Sequence, residues 1–371
     1  MIAELRVENF RCLQDFRLIL HDANPHLLIG KNGAGKSSIR SVFEILRQVC
    51  RGGRPLGDII TDSDLSFGSG ETVQIETVLR LGENQLSYLL RARLYSGIWE
   101  VEREIFTENQ QLLLHRHRNV VLPGTQTEIY NASEEEKKHE LDIGDEYAAL
   151  PMLGPIRRDM IGRFRHFFQA SWILGPEPSK IIDVVSTRRD FLAVDCHNIC
   201  NVVFWAQNLD SEILDRIGLQ LRSRMPDLKE LEFRDIGGSR SQLFLRFSRD
   251  AAYETPLSRL SDGQKCFFIA AVLSVFAEKE LVPFCFWDEP DNFLSLSEVQ
   301  QFIRHLRRLK HRMPMILASH HPETIRCFPS DSILVLERDF QTEKTTVRRA
   351  DEFERSFNDL ADAVAHGELG F

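Results

Sequence analysis

The sequence predicts an α/β protein with a mixed sheet, an antiparallel β-meander and an inserted, largely helical lobe. Short apolar runs at residues 26–29, 284–287 and 315–317 are typical of strands buried in a parallel sheet. A helical pattern, with apolar residues three or four positions apart, follows the first run. Residues 73–106 contain three strand-like segments separated by hairpin turns, which predict the meander.

A glycine-rich segment joins the first predicted strand to the first predicted helix. It reads GKNGAGKS and fits the G-x-x-x-x-G-K-[ST] pattern of a phosphate-binding loop. Its backbone N–H groups are expected to point at phosphate oxygens, with Lys36 on the β and γ phosphates and Ser37 on Mg²⁺. The predicted nucleotide contacts are Gly30, Lys31, Asn32, Gly33, Ala34, Gly35, Lys36, Ser37 and Ser38.

Two carboxylates end the apolar run at residues 284–287. Ligands of parallel sheets bind beyond the carboxyl ends of the strands, where Asp288 and Glu289 fall. Asp288 is predicted to hold Mg²⁺, and Glu289 is predicted to polarise a water as the general base. By itself the pair is also compatible with an ordinary acidic turn.

Two further motifs follow the same logic. Residues 260–264 read LSDGQ, where Ser261 is a predicted N-cap and Gly263 leaves room for a phosphate. Residues 318–322 read ASHHP at the end of a strand, where a histidine is placed to sense a γ-phosphate. Each motif alone is weak, because such turns and surface histidines are common.

Together these motifs resemble the ABC-type ATPase heads of the RecF/SMC/OLD group, over most of the chain. The N-terminal segment LRVENFR, ending at Arg11, is similar to the opening strand and turn of these heads. The resemblance implies that ATP and Mg²⁺ are the cofactors and that two subunits enclose two ATP molecules. It implies that Ser261 and Gly263 face the nucleotide held by the other subunit's Lys36, and that Arg11 lies near the nucleotide.

The chain departs from this family pattern in places. Residues 291–295 read DNFLS, unlike the segment typical of transporter ATPases or the histidine frequent in OLD-type heads. The family pattern of a strand followed by His, a small residue, Pro and an acid makes His320 the match for the switch histidine, although His321 stands where the family has the small residue. The family has a glutamine associated with Mg²⁺, and three residues of this chain are candidates for it: Gln74, Gln85 and Gln169.

Composition indicates a cytoplasmic protein. The 371 residues are 43% hydrophobic and 27% charged, with no secretory signal and no apolar segment long enough to span a membrane. Seven cysteines without disulfide-like spacing fit a reducing compartment. Cys196, His197 and Cys200 suggest zinc, but a fourth ligand is missing, which favours structural thiols.

Motif spacing predicts three parts. Lys36 and Leu260 are 260 − 36 = 224 positions apart, which implies an inserted lobe. We assign residues 1–110 and 228–371 to the ATPase head and 111–227 to a mostly helical lobe, with helices at 147–169 and 190–224 and a solvated loop at 131–146. No sustained heptads predict a coiled coil. About fifty residues follow His320, too few for the nuclease domain of OLD-type proteins.

We therefore expect an ATPase that dimerises on ATP, serves DNA repair or anti-phage defence, and engages a nuclease or toxin supplied in trans. A nucleotide-gated scaffold with slow hydrolysis and, with less support, a transporter ATPase subunit remain alternatives. Larger assemblies and DNA contact are left open, although a solvated basic surface explains each of the two basic segments better than DNA contact does. These segments comprise Arg157, Arg158, Arg163, Arg165 and His166, and Arg304, Arg307, Arg308, Lys310 and His311.

Overall fold

Eighteen strands and seven α-helices make up the part of the chain that the computed structural model describes. The described residues are 1–22, 24–66, 70–118, 125–131, 134–140, 142–153, 160–186, 189–248, 253–339, 341–342, 344–352 and 361–362. The strands are β1 (Ile2–Phe10), β2 (Leu13–Ile19), β3 (His26–Gly30), β4 (Thr72–Leu81), β5 (Asn84–Tyr95), β6 (Ile98–Glu108), β7 (Gln111–Arg118), β8 (Thr125–Asn131), β9 (Glu134–Glu140), β10 (Trp172–Leu174), β11 (Val184–Val185), β12 (Leu228–Gly237), β13 (Arg240–Phe247), β14 (Glu254–Pro256), β15 (Cys285–Asp288), β16 (Met315–Ala318), β17 (Ile333–Arg338) and β18 (Thr345–Arg349). The helices are α1 (Lys36–Arg51), α2 (Met160–Ala170), α3 (Ile199–Gln207), α4 (Ile213–Arg222), α5 (Asp262–Glu278), α6 (Leu296–Arg307) and α7 (Pro322–Ile325).

A six-stranded sheet in the order β10-β15-β16-β3-β17-β18 forms the centre. Its first five strands are parallel, and β18 closes the edge antiparallel to β17. Parallel strands are usually covered on both faces, which explains the continuous apolar runs that predicted them. The carboxyl ends of β3, β15 and β16, which carry the predicted motifs, consequently meet at one edge of the sheet.

An eight-stranded antiparallel sheet in the order β2-β1-β4-β5-β6-β7-β8-β9 packs beside it. The three predicted meander strands are confirmed as β4, β5 and β6, with bounds within two residues of those expected. The meander continues through β7, β8 and β9. The prediction of a solvated loop at 131–146 is wrong for Glu134–Glu140, which pairs with β8 despite its charged sequence. Cross-strand pairing there overrides composition.

The insertion contains shorter helices than expected. Of the segment 147–169, the structure describes a helix from Met160, and residues 154–159, including Arg157 and Arg158, lie outside the described residues. Residues 190–198 are irregular, and α3 begins after Asn198, whose side chain bonds the backbone of Phe191 and Ala193. Strand β11, which precedes α3, joins β12, β13 and β14 in a small separate sheet. The division at 110 and 227 stays a prediction, since the antiparallel sheet continues past residue 110.

The central sheet separates two apolar cores. Leu27 and Ile29 face one core and Leu28 the other, and Phe286 and Trp287 divide in the same way. The antiparallel sheet, α1 and α2 close one core, while α3 to α6 close the other. Helix α5 is apolar on all sides because it lies inside the second core. None of the described helices combines the length and the apolar character needed to cross a membrane.

A buried polar clasp joins the meander to the segment after β9. Glu104 on β6 accepts hydrogen bonds from the Ala149 and Leu150 amides, at 2.7 and 2.9 Å, and from the Tyr88 hydroxyl at 2.9 Å. Burial raises the pKa of the Glu104 carboxyl, and the two amides act in the opposite direction. Fully buried Arg116 donates to the carbonyls of Tyr147 and Ile143.

We expect Glu104→Leu to lower the free energy of unfolding by at least about 2 kcal/mol, because it leaves two buried amides without acceptors. Urea denaturation measures the change. The control is Glu102→Leu on the same strand, where a partly exposed carboxylate pairs with the more exposed Arg91 and Arg93, and we expect a loss below about 1 kcal/mol. Equal losses in the two variants would contradict the clasp.

Candidate nucleotide-binding site

The phosphate loop connects β3 to the first turn of α1. Gly33 and Gly35 have φ values of 84° and 110°, which favour glycine. A Cβ on Gly30 would lie 2.7 Å from the Leu336 carbonyl oxygen, so glycine is also required by close packing. Lys31, Asn32 and Ser37 are exposed around the loop. The loop therefore presents open backbone at the start of a 16-residue helix, whose dipole favours anions.

Lys36 is buried beneath the loop. Its ammonium donates to the carbonyls of Gly30 at 2.6 Å and Lys31 at 3.3 Å. Burial lowers the pKa of Lys36, while Glu289 and Asp288 act in the opposite direction. The structure thus brings the predicted lysine together with the two predicted carboxylates. Ser38, also predicted as a contact, is buried with its hydroxyl 3.6 Å from the Cys12 thiol, and Ala34 is buried beside it.

Asp288 ends β15 next to the phosphate loop. Burial raises the pKa of its carboxyl, whereas the Arg40 guanidinium, 3.2 Å from Oδ2, and the Ser37 hydroxyl lower it. Its Oδ1 is buried without a hydrogen-bond partner among the described residues. An unpartnered buried carboxylate oxygen beside a serine hydroxyl supplies the hard oxygen ligands that Mg²⁺ prefers. The donor set therefore fits Mg²⁺ with a nucleotide phosphate.

Glu289 and His320 form a pair at the adjacent strand ends. Oε1 of Glu289 lies 3.1 Å from Nδ1 of His320. Glu289 has a φ of 49°, and its amide donates to the Ala318 carbonyl at 2.7 Å, which fixes the turn after β15 on β16. The side-chain amide of Asn292 donates to Oε2, the second carboxylate oxygen of Glu289. Both side chains remain partly exposed, so water has access to them.

A buried aspartate holds the two loops together. Asp291 accepts hydrogen bonds from the hydroxyls of Ser319 and Thr324, and Ser319 in turn accepts from the His321 amide at 2.9 Å. Nδ1 of His321 accepts from the Glu323 amide and so caps α7. His321 is therefore engaged in capping, whereas His320 faces Glu289. The sensing role of His320 stays a prediction.

Arg11 lies on the turn after β1 and reaches toward α1. Its guanidinium donates to Asp64 at 2.8 Å and to Ser41 at 3.0 Å, one turn beyond Ser37. A cavity of about 210 Å³ opens between this turn and α1, with Arg11 and Arg40 in its wall. The predicted position of Arg11 beside the nucleotide region is compatible with this geometry.

The motif around Ser261 begins α5 as predicted. Ser261 is the N-cap, and its side chain and that of Gln264 form a reciprocal capping box. A Cβ on Gly263 would lie 2.9 Å from the Phe293 carbonyl oxygen, so this glycine packs against the segment that follows Glu289. No described hydrogen bond or ion pair joins Ser261 or Gly263 to Lys36 within the chain. The two motifs are separate features of one subunit.

The three candidate glutamines make structural contacts. Gln74 donates to Glu8 on the neighbouring strand, and Gln169 donates to the Cys50 carbonyl at 2.7 Å. Gln85 lies at the start of β5, and its backbone amide donates to Asn109.

The cysteines considered for zinc lie in the core. Cys196 and Cys200 are buried, and burial raises the pKa of both thiols. In the described part of the chain, no group of three His, Cys, Asp or Glu residues is arranged for a metal.

Three contributors were missed by sequence reasoning. Arg40 follows Lys36 by one helical turn, and that spacing was a usable signal for its contact with Asp288. Asp291 and Asn292 were noticed as departures from a family pattern, but their contacts to Ser319 and Glu289 depend on tertiary structure.

Comparisons with known proteins agree with this geometry. Residues 1–148 match the family model described as AAA ATPase domain. A solved SMC head bound to the C-winged helix domain of ScpA is similar over 94% of this chain and 96% of its own, at 13% identity and a TM-score of 0.57. An SMC head with an extended coiled coil, bound to the C-terminal domain of ScpA derived from Pyrococcus furiosus, aligns over 99% of both chains, at 10% identity and a TM-score of 0.54.

A search among curated proteins finds no match. At such low sequence identity, the two solved heads support a shared fold and nothing further. The family model matches the first 148 residues of the chain. Together they show that this chain shares its fold with the two SMC heads and that its first 148 residues match an AAA ATPase domain.

Proposed function

We propose that this chain binds ATP with Mg²⁺ and hydrolyses the γ-phosphate bond. The observation that carries the proposal is the Glu289–His320 pair, 3.1 Å apart, at the sheet edge that also holds Lys36 and Asp288. In this proposal the phosphate loop and Lys36 bind the phosphates, and Ser37 and Asp288 hold Mg²⁺, which would neutralise phosphate charge. Glu289 accepts a proton from the attacking water. His320 contacts the γ-phosphate and positions Glu289.

We further propose that ATP joins two copies of the chain. Ser261 lies exposed at the N-terminus of α5 with Gly263 close behind it, and no described hydrogen bond or ion pair joins either residue to Lys36 within the subunit. A second copy would bring them to the nucleotide held by Lys36, where the helix dipole favours the phosphate. Phe293 and Leu296, exposed hydrophobic residues of the neighbouring segment, would be covered in the same contact.

The cellular role that we propose is DNA repair or anti-phage defence, with a nuclease or toxin as a partner in trans. Partner binding has support from the two similar SMC heads, both solved with a domain of ScpA bound. ATP binding and hydrolysis would then control the partner through closing and opening of the two heads, as far as the partner prefers one state.

We expect Glu289→Gln to retain ATP binding but to hydrolyse ATP roughly 10²- to 10⁴-fold more slowly, because the amide cannot accept the proton. Lys36→Ala, by contrast, loses ATP binding. Phosphate release, nucleotide binding and the ATP-dependent dimer fraction are measured on the same preparations. Glu212→Gln, at an exposed carboxylate paired with Arg216, is the control and should match wild type. Unchanged hydrolysis by Glu289→Gln would refute Glu289 as the base.

Gly263→Ala tests the packing of α5 on the segment after Glu289. The added Cβ would lie 2.9 Å from the Phe293 carbonyl, so we expect a loss of about 1–3 kcal/mol in unfolding free energy and slower hydrolysis. Gly57→Ala is the control, since a Cβ there meets nothing within 4 Å. Thermal unfolding and turnover are compared. Wild-type values for Gly263→Ala would show that the glycine is dispensable for this packing.

A pull-down of tagged Glu289→Gln from native cells, with ATP present, tests the cellular role. A stoichiometric nuclease-like or toxin-like protein is the expected result for defence, and duplex DNA without a protein is the expected result for repair. Lys36→Ala serves as the control that cannot form the ATP-linked state. Recovery of the same material with both variants, or of neither protein nor DNA, would contradict the proposed role.

A further inference from the structure

A basic cavity lies between α4, α5 and α6, outside the candidate nucleotide-binding site. Its volume is about 320 Å³, which falls at the lower end of small-molecule sites, roughly 300–1,000 Å³. Arg224 follows α4, and Arg304 and Arg308 lie one helical turn apart on and after α6. Phe267, Ala270 and Ala271 of α5 form the apolar wall. Three arginine side chains thus line one concave surface.

Among the described residues, none of these three arginines forms an ion pair with a carboxylate. Arg224 donates to the Gln301 side-chain oxygen and stacks on Phe267, with its guanidinium carbon 4.9 Å from the ring centroid. Arg304 contacts the Gln300 side-chain oxygen at 3.5 Å. The Glu298 carboxylate accepts hydrogen bonds from the Ser295 hydroxyl and amide, which lower the pKa of Glu298. The charge of Arg224 lowers that pKa further. Converging like charges repel, so an anion would stabilise this arrangement.

His305 lines the same cavity without adding charge. Its Nε2 lies 2.8 Å from the Ser274 hydroxyl of α5. Burial lowers the pKa of His305, and Arg308 and Arg224 lower it further, so the imidazole is neutral near pH 7. The positive charge of the cavity therefore comes from the arginines, whose planar donor forks match phosphate oxygens.

We propose that this cavity is a second anion site, which binds a phosphate group through Arg224, Arg304 and Arg308. The phosphate belongs either to a small phosphorylated molecule or to a nucleic-acid backbone, since both offer the same oxygens to arginine. The wall of the site is α5, the helix that begins at Ser261. A bound phosphate would lie beside this helix roughly 8–14 Å from its N-terminus, at about 1.5 Å per residue over the five to nine residues from Asp262 to the cavity wall.

The test measures pyrophosphate binding by calorimetry in the Lys36→Ala background. This background removes binding at the phosphate loop, so the result does not depend on the proposed ATPase activity. We expect one pyrophosphate site to remain. Adding Arg304→Gln and Arg308→Gln should weaken it at least about tenfold, because two charge-assisted contacts are lost. Both arginines are exposed, so these substitutions should preserve the fold, which a thermal unfolding curve checks.

Lys310→Gln with Arg312→Gln is the matched control. These exposed residues carry the same charge and lie on the same stretch of chain, but they do not line the cavity. We expect pyrophosphate affinity within about twofold of the Lys36→Ala protein, since general surface charge is screened at physiological salt.

Short duplex DNA, titrated into the same proteins, separates the two sources of phosphate. Pyrophosphate binding that depends on Arg304 and Arg308 supports a small-molecule site, and DNA binding with this dependence and no pyrophosphate binding supports a backbone contact. The proposal is overturned if neither probe loses affinity in the arginine variant, or if the control variant loses as much.

Discussion

The alignment of three parallel strand ends is the constraint on which the rest of the structure depends. Asp288 pairs in register with Ala318, and Ala318 pairs with Leu28 of β3, which ends two residues later at the phosphate loop. Side chains alternate between the two faces along a strand, so a slip of one residue would exchange the two cores and turn Asp288 away from Ser37. The apolar cores that fix this register therefore also fix the geometry of the candidate site.

Burial disfavours the charged side chains at this edge of the central sheet, and neighbours of opposite charge offset part of that cost. Lys36 and Asp288 are both largely removed from solvent, and burial disfavours the charged form of each. Each carries a neighbour of opposite charge, because Lys36 lies near both carboxylates and Asp288 contacts Arg40. The remaining unsatisfied oxygen of Asp288 and the open backbone of the loop are complementary to a cation and an anion respectively. Preorganisation of this kind is a common source of electrostatic stabilisation in active sites.

Helix α5 touches several functional candidates at once. It begins with the capping box at Ser261, packs through Gly263 on the segment that follows Glu289, and forms one wall of the arginine cavity further along. Because most of the helix is buried, a shift at one end is poorly absorbed locally in a close-packed core. This arrangement gives a physical route by which partner, nucleotide and anion could bias the same element, with each acting only through its differential affinity for two states.

The sequence by itself determined the motifs, the parallel strands and the first hairpins, because these depend on local spacing and on alternation of apolar residues. It also predicted Lys36, Asp288, Glu289 and His320 as site residues, from short motifs and from a family resemblance. The tertiary structure decided what local patterns do not encode. The charged segment Glu134–Glu140 became a strand through pairing with β8, and Asp291 acquired its role through contacts 28 and 33 residues away. Likewise Arg224 joined Arg304 and Arg308 only because two helices pack on α5, and packing between distant segments has no signature in a single sequence.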